Sequence, residues 1–138
     1  MSATRSLHLR GRSVGLVFVG GALGTGLRAL VSAAVPPVSG LPVAVLGVDV
    51  VGAFVLGLLL ATLHRAGPDE GRRRDLRLLL GTGVLGGFTT YSALAADTAG
   101  LADQARVGAA LLYAGATLVL GLAAAFAGLR CGGRRGGR

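Results

Sequence analysis

Four long apolar runs constrain this chain more than anything else in it. They are Val14 to Val35, Val43 to Leu63, Leu76 to Ala96 and Val107 to Leu129. A helix needs roughly 20 apolar residues to cross the hydrocarbon core of a bilayer, and each run is long enough. None contains proline. Charged residues make up only 14% of the chain, against about a quarter in a soluble domain. The expected fold is an all-α integral membrane protein of four transmembrane helices. Residues 1–13 form an N-terminal flank, 14–129 the membrane domain and 130–138 a basic tail. The first run is too long for the core of a cleaved signal peptide, which is about 7–15 residues, and Arg28 would interrupt it.

The arginines supply the orientation. Twelve of the fourteen lie on one side of the predicted bundle: Arg5, Arg10 and Arg12 before the first run, Arg65, Arg72, Arg73, Arg74 and Arg77 around the second loop, and Arg130, Arg134, Arg135 and Arg138 in the tail. The other side has the uncharged Pro36 to Pro42 hairpin with Asp97, Asp103 and Arg106. Short arginine-rich loops stay cytoplasmic, so both termini are expected in the cytoplasm of a multi-pass protein of the cell inner or plasma membrane. The net charge of +8 is thus a topology signal, and no nucleic-acid partner is expected. Cys131 is a lone tail thiol. His8 and His64 sit beside arginines with no carboxylate or cysteine at ligand spacing, which is the pattern of surface histidines.

Two ionisable residues lie well inside the runs, Arg28 and Asp49, and such residues mark function by default. Arg28 is seven residues before the outer end of the first run and Asp49 six residues after the outer start of the second. Both are then roughly 10 Å from the same surface at 1.5 Å rise per residue. Two readings stay open. An Arg28–Asp49 ion pair offsets burial and links two helices, or Arg28 lines a vestibule that draws in anions, with an ionised Asp49 partly cancelling the attraction.

The third run holds Gly81-Thr82-Gly83-Val84-Leu85-Gly86-Gly87-Phe88-Thr89-Thr90-Tyr91-Ser92. Paired glycines at mid-span permit a helix break, whose freed carbonyls need partners where there is no water. A bound cation is one such partner. The alternative is a continuous helix with Thr and Ser hydroxyls bonded back to their own turn, and spacing alone favours it. Tyr113 and Thr117 lie one turn apart on the fourth helix. With Tyr91 and Ser92 they form a possible line of hydroxyl donors suited to a small hydrated anion, although packing hydroxyls are commoner than ion tracks. The pairs Gly20/Gly24 and Gly83/Gly87 have the small-xxx-small spacing of close helix contacts. There is no phosphate loop, no metal-ligand cluster and no nucleophile–base pair, so no enzyme is expected.

Taken together, these residues resemble the small fluoride channel family known as Fluc or CrcB. Gly20-Gly21-Ala22-Leu23-Gly24-Thr25-Gly26-Leu27-Arg28 is similar to that family's first-helix pattern, and Gly86-Gly87-Phe88-Thr89-Thr90-Tyr91-Ser92 to its third-helix signature. The resemblance covers nearly the whole chain. It implies an antiparallel dimer, with the third helix broken near the midplane, that passively exports fluoride and lowers its cytoplasmic toxicity. It also implies a structural sodium ion, not transported, on the backbone carbonyls of Gly86 and Thr89 from each subunit. Arg28, Asp49, Tyr91, Ser92, Tyr113 and Thr117 are then the expected pore and anion-pathway residues. The chain departs from the family at three places: Asp49 replaces an asparagine, Leu94 a phenylalanine, and Val45 a pore threonine. Tyr91 keeps an aromatic ring where the family has phenylalanine.

Two other classes compete. One is a small four-helix proton-coupled exporter, which depends on a first-helix glutamate that is missing here. The other is a non-conducting partner subunit of a heterodimeric channel. A homodimer of antiparallel subunits needs one sequence to insert both ways, and a twelve-to-one arginine bias opposes that. The chain is therefore expected to insert one way and to pair with an oppositely oriented paralogue.

Overall fold

The computed structural model describes residues 3–134. Of the basic tail, residues 135–138, with Arg135 and Arg138, lie outside the described residues. Among the described residues, four helices are long and apolar enough to cross a membrane. The first is α1 (Ala3–Ala34) and the second α2 (Val43–Arg65). The third span is composite: α3 (Gly71–Leu76), a π-helical segment (Arg77–Leu85), α4 (Gly86–Phe88) and α5 (Tyr91–Asp103). The fourth is α6 (Val107–Arg134).

The helices outrun the apolar runs that announce them. The third span extends from 71 to 103 rather than from 76 to 96, and α6 continues past Leu129. Hydrogen bonding along a helix does not stop where hydropathy does, so polar residues add turns at each end. One consequence corrects the sequence reading: Asp97 and Asp103 are part of α5, not of the loop that follows it.

The connection from α1 to α2 is a tight turn. Val38 and Leu41 exchange both backbone hydrogen bonds, at 3.0 and 2.9 Å, around Ser39 and Gly40, whose φ values are 53° and 75°. Two successive positive φ angles define the two-residue turn that favours glycine at its second position. Arg106 reaches this turn and donates to the Ser39 carbonyl at 3.2 Å, tying together the two loops of the arginine-poor end. At the opposite end Arg12 pairs with Asp75 at 2.7 Å. Arg65 donates to the Gly132 carbonyl at 3.0 Å. The N-terminal flank, the second loop and the end of α6 thus share one end of the bundle.

Packing divides the third span between two partners. The π-helical segment and α4 lie on α1, α5 lies on α6, and α2 packs mainly along α6. The glycine pairs explain the first contact. A Cβ at Gly20 would overlap the Leu79 carbonyl, one at Gly24 the Val84 carbonyl, and one at Gly83 would sit 2.9 Å from the Gly20 Cα. Lipid gives helices no hydrophobic reason to associate, so close backbone approach must supply the attraction. Gly57 and Gly128 do the same between α2 and α6, against the Ala125 and Phe54 carbonyls. Leu94, Leu101, Ala110 and Tyr113 form the buried cluster between α5 and α6.

Candidate functional site: a broken helix beside a membrane-embedded charge cluster

The third span breaks at two consecutive extended residues, Thr89 (φ −97°, ψ 127°) and Thr90 (φ −139°, ψ 129°). The site grows from how each side of the break is finished. On the α4 side, the Thr89 N–H and hydroxyl both donate to the Leu85 carbonyl, at 2.9 and 3.0 Å. On the α5 side, Thr90 is the N-cap, its hydroxyl oxygen accepting from the Ala93 N–H at 3.4 Å. A threonine N-cap satisfies one of the orphan donors of a new helix. Thr25 on α1 donates to the Gly87 carbonyl at 3.4 Å. Among the described residues, no turn or cap hydrogen bond uses the Gly86 or Thr89 carbonyl. Gly52 of α2 makes room for the break: a Cβ there would overlap the Thr89 methyl group.

A cavity of about 370 Å³ lies against the break, bounded by Asp49, Thr89, Thr90, Tyr91, Leu94 and Thr117 with Leu118, Gly121 and Leu122 of α6. The N-terminus of α5 opens onto it. That end of a helix carries partial positive charge and unsatisfied N–H groups, which attract an anion. Asp49 lies within electrostatic reach of the Thr90 backbone. Tyr91 is 80% exposed, so its ring faces outward from the single chain. Thr117 is buried, and its hydroxyl donates to the Tyr113 carbonyl one turn back at 2.8 Å.

Beside this cavity lies a cluster of charges. Arg28 is the cation within electrostatic reach of both Asp49 and Asp97. It forms no ion pair with either. Arg28 Nε and Asp49 Oδ1 are each buried without a hydrogen-bond partner, and the ion pairs among the described residues are Arg12–Asp75 and Arg77–Asp69. The Arg28–Asp49 pair considered from the sequence is thus not formed, because α1 and α2 diverge after their short turn, and α1 packs on the third span instead. A buried polar atom without a partner is costly, so Arg28 Nε and Asp49 Oδ1 are free to take a ligand, water or a group from another chain. Tyr113 closes the cluster: its hydroxyl lies 3.3 Å from the Pro42 carbonyl and 3.4 Å from Asp97 Oδ2.

Of the residues singled out from the sequence, the cavity collects Asp49, Thr89, Tyr91 and Thr117. Gly86, Arg28, Ser92 and Tyr113 stand outside its wall. The Ser92 hydroxyl donates to Thr90 Oγ1 at 3.3 Å. Two residues that sequence reasoning passed over matter here. Asp97 shares Arg28 and Tyr113, and its spacing of three residues from Leu94, on one helix face, was the available signal once α5 is known to continue. Thr90 caps the broken helix. Val45 and Leu94, which depart from the family pattern, are both buried.

Comparison with known proteins agrees with this architecture. The family described as "CrcB-like protein, Camphor Resistance (CrcB)" matches residues 15–129. A protein named fluoride-specific ion channel FluC 2 from Leifsonia xyli subsp. xyli is 59% identical over 132 residues, covering 96% of this chain and 91% of that protein. A fluoride-specific ion channel FluC from Thermus thermophilus is 46% identical over 122 residues, covering 86% and 93%. One from Novosphingobium aromaticivorans is 40% identical over 117 residues, covering 82% and 90%. A family match across all four spans, with relatives this similar along nearly their whole length, leads to one statement: this multi-pass membrane protein belongs to the CrcB family of fluoride-specific ion channels and is not an enzyme.

Proposed function

We propose that this chain is one subunit of a passive channel that lets fluoride leave the cell and so limits its toxicity in the cytoplasm. The observation that carries this reading is the helix break at Thr89–Thr90 beside the buried, unsatisfied Arg28 Nε and Asp49 Oδ1. Breaking a helix in mid-membrane is costly unless the freed groups bind something. Donors at the start of α5, with the guanidinium nearby, suit a small anion whose hydration shell they replace. The names of the relatives point to fluoride as that anion.

The residues also fit a structural sodium ion. The Gly86 and Thr89 carbonyls are hard oxygen donors left unused by the turn and cap bonds of the described residues, and Gly86 is exposed on the surface of the single chain. A sodium ion there would supply positive charge that locks the break. The role of this chain is to hold those two carbonyls in place, through the Leu85–Thr89 bonds on one side and the Thr90 cap on the other. A partner subunit is part of the proposal. Tyr91, Leu118 and Leu122 are exposed around the cavity, so one chain leaves it open, and a second antiparallel chain closes it. The arginine bias makes that partner an oppositely oriented paralogue, with both termini of this chain cytoplasmic in the cell membrane.

Fluoride efflux from sealed liposomes tests the reading. The expected result is efflux driven by the fluoride gradient alone, by this chain or by this chain with its paralogue. Efflux that requires a proton gradient would sink the passive channel in favour of an exporter. Efflux through the paralogue that is unchanged by adding this chain would make this chain the non-conducting partner, a role that the carboxylate of Asp49 in the cavity favours, since it repels anions. Impermeant labelling of Cys131, which is exposed, reports orientation: a single protected population is expected in right-side-out cells, and equal populations would overturn one-way insertion.

A further inference from the structure

A second cavity, of about 780 Å³, opens at the arginine-rich end of the bundle and shares no lining residue with the cavity at the break. The last turns of α2 and α6 form one side, and the 66–70 loop with α3 and the first π-helical residues forms the other. Leu60, Leu63 and Leu129 give it an apolar wall, and Arg65, Arg73 and Arg77 face a single carboxylate, Asp69.

The charges are unequally spent. Asp69 is taken by Arg77 at 2.7 Å. Arg65 donates to the carbonyls of Gly132 and Gly133 at the end of α6. Arg73 lies over Gly67 and has no ion pair among the described residues. The apolar stretches of α2 and α6 end at Arg65 and Gly133, so the cavity sits at headgroup level, with its leucine wall continuing into the acyl region.

We infer that this cavity is a binding site for an anionic phospholipid, with its phosphate on Arg73 and an acyl chain along Leu60, Leu63 and Leu129. Guanidinium forks match phosphate oxygens bidentately. Basic pockets between transmembrane helices at this level bind anionic headgroups. Three guanidiniums against one carboxylate select a lipid with net negative charge over a zwitterionic one. A free phosphate ion shares the polar chemistry but would leave the apolar wall unused.

Native mass spectrometry of the full chain in mild detergent tests this, with phosphatidylglycerol, phosphatidylcholine or inorganic phosphate added. Phosphatidylglycerol should be retained as a discrete adduct and phosphatidylcholine should not. Arg73→Gln should weaken retention about five-fold, the loss of one basic residue at an anionic surface. Arg130→Gln, at an exposed arginine outside the cavity, should leave retention unchanged. Equal losses in the two variants would mean diffuse attraction and overturn the site, as would equal retention of phosphatidylcholine. Displacement of the lipid by millimolar inorganic phosphate would make the ion the ligand and overturn the lipid assignment. Should Arg73→Gln not fold, Leu129→Trp narrows the apolar wall from a half-exposed position, and unchanged lipid retention in it would equally overturn the proposal.

Discussion

Tyr113 Oη lies 3.4 Å from Asp97 Oδ2 and 3.3 Å from the Pro42 carbonyl, so one phenolic hydrogen serves a carboxylate on α5 and the turn that opens α2. Phenol has a single donor, and the two acceptors compete for it. Tyr113→Phe keeps the ring in its buried cluster and removes only that donor. Its expected cost is about 1 kcal/mol of stability, together with slower fluoride efflux because Asp97 is freed to turn toward Arg28. Unfolding in detergent and liposome efflux measure the two effects, and a variant matching wild type in both would show the hydroxyl to be idle.

Arg28 Nε and Asp49 Oδ1 are buried without a hydrogen-bond partner, the two residues being half-buried, and their charges act on an anion with opposite sign. Arg28→Gln should slow fluoride efflux by about ten-fold or more, and Asp49→Asn should quicken it about three- to ten-fold, as expected of single charges near a confined path. Folding yield should stay level in Asp49→Asn, since no ion pair is broken. A drop in yield with Asp49→Asn would reveal a structural pair instead.

The contact between α1 and the third span depends on glycines that differ sharply in their surroundings. A Cβ at Gly24 meets the Val84 carbonyl, whereas one at Gly26 meets nothing within 4 Å. Gly24→Ala should destabilise the protein by about 1–3 kcal/mol, the usual cost of overpacking. Gly26→Ala should stay within about 0.5 kcal/mol of wild type. Thermal unfolding of the matched pair decides it; equal melting temperatures would contradict the close approach.

At the arginine-rich end, the Arg77 guanidinium beside Asp69 holds that carboxyl below the usual carboxylate range. A depressed value means that the pair stabilises the folded state above the unfolded pKa of about 3.9, and that this contribution is lost as pH falls through the folded value. The difference in stability between wild type and Asp69→Asn should therefore be level from pH 8 to about pH 5 and shrink below about pH 4. Asp69 is exposed, so the difference should be small and fall further with salt. A difference that persists undiminished at pH 3 would exclude the pair as its source.

The sequence by itself determined the four spans, their shared arginine-rich end and the family. Run length against bilayer thickness and the position of arginines need no tertiary information. The motif around Gly86 and Thr89 located the break only through resemblance, since spacing alone favoured a continuous helix. Both readings hold a part of the truth: the Thr89 hydroxyl does bond back to Leu85, and the chain still breaks after it. The tertiary structure decided what meets what. Arg28 and Asp49 lie at matching depth on consecutive helices, yet they do not pair, because α1 turns its glycine face to the third span and α2 turns to α6. Depth follows from counting residues along a helix, while rotation and partner follow from where small residues let backbones approach. Asp97 became part of the charge cluster for the same reason: hydropathy ended the third run at Ala96, and only backbone hydrogen bonding carried α5 far enough to bring its carboxylate to Tyr113.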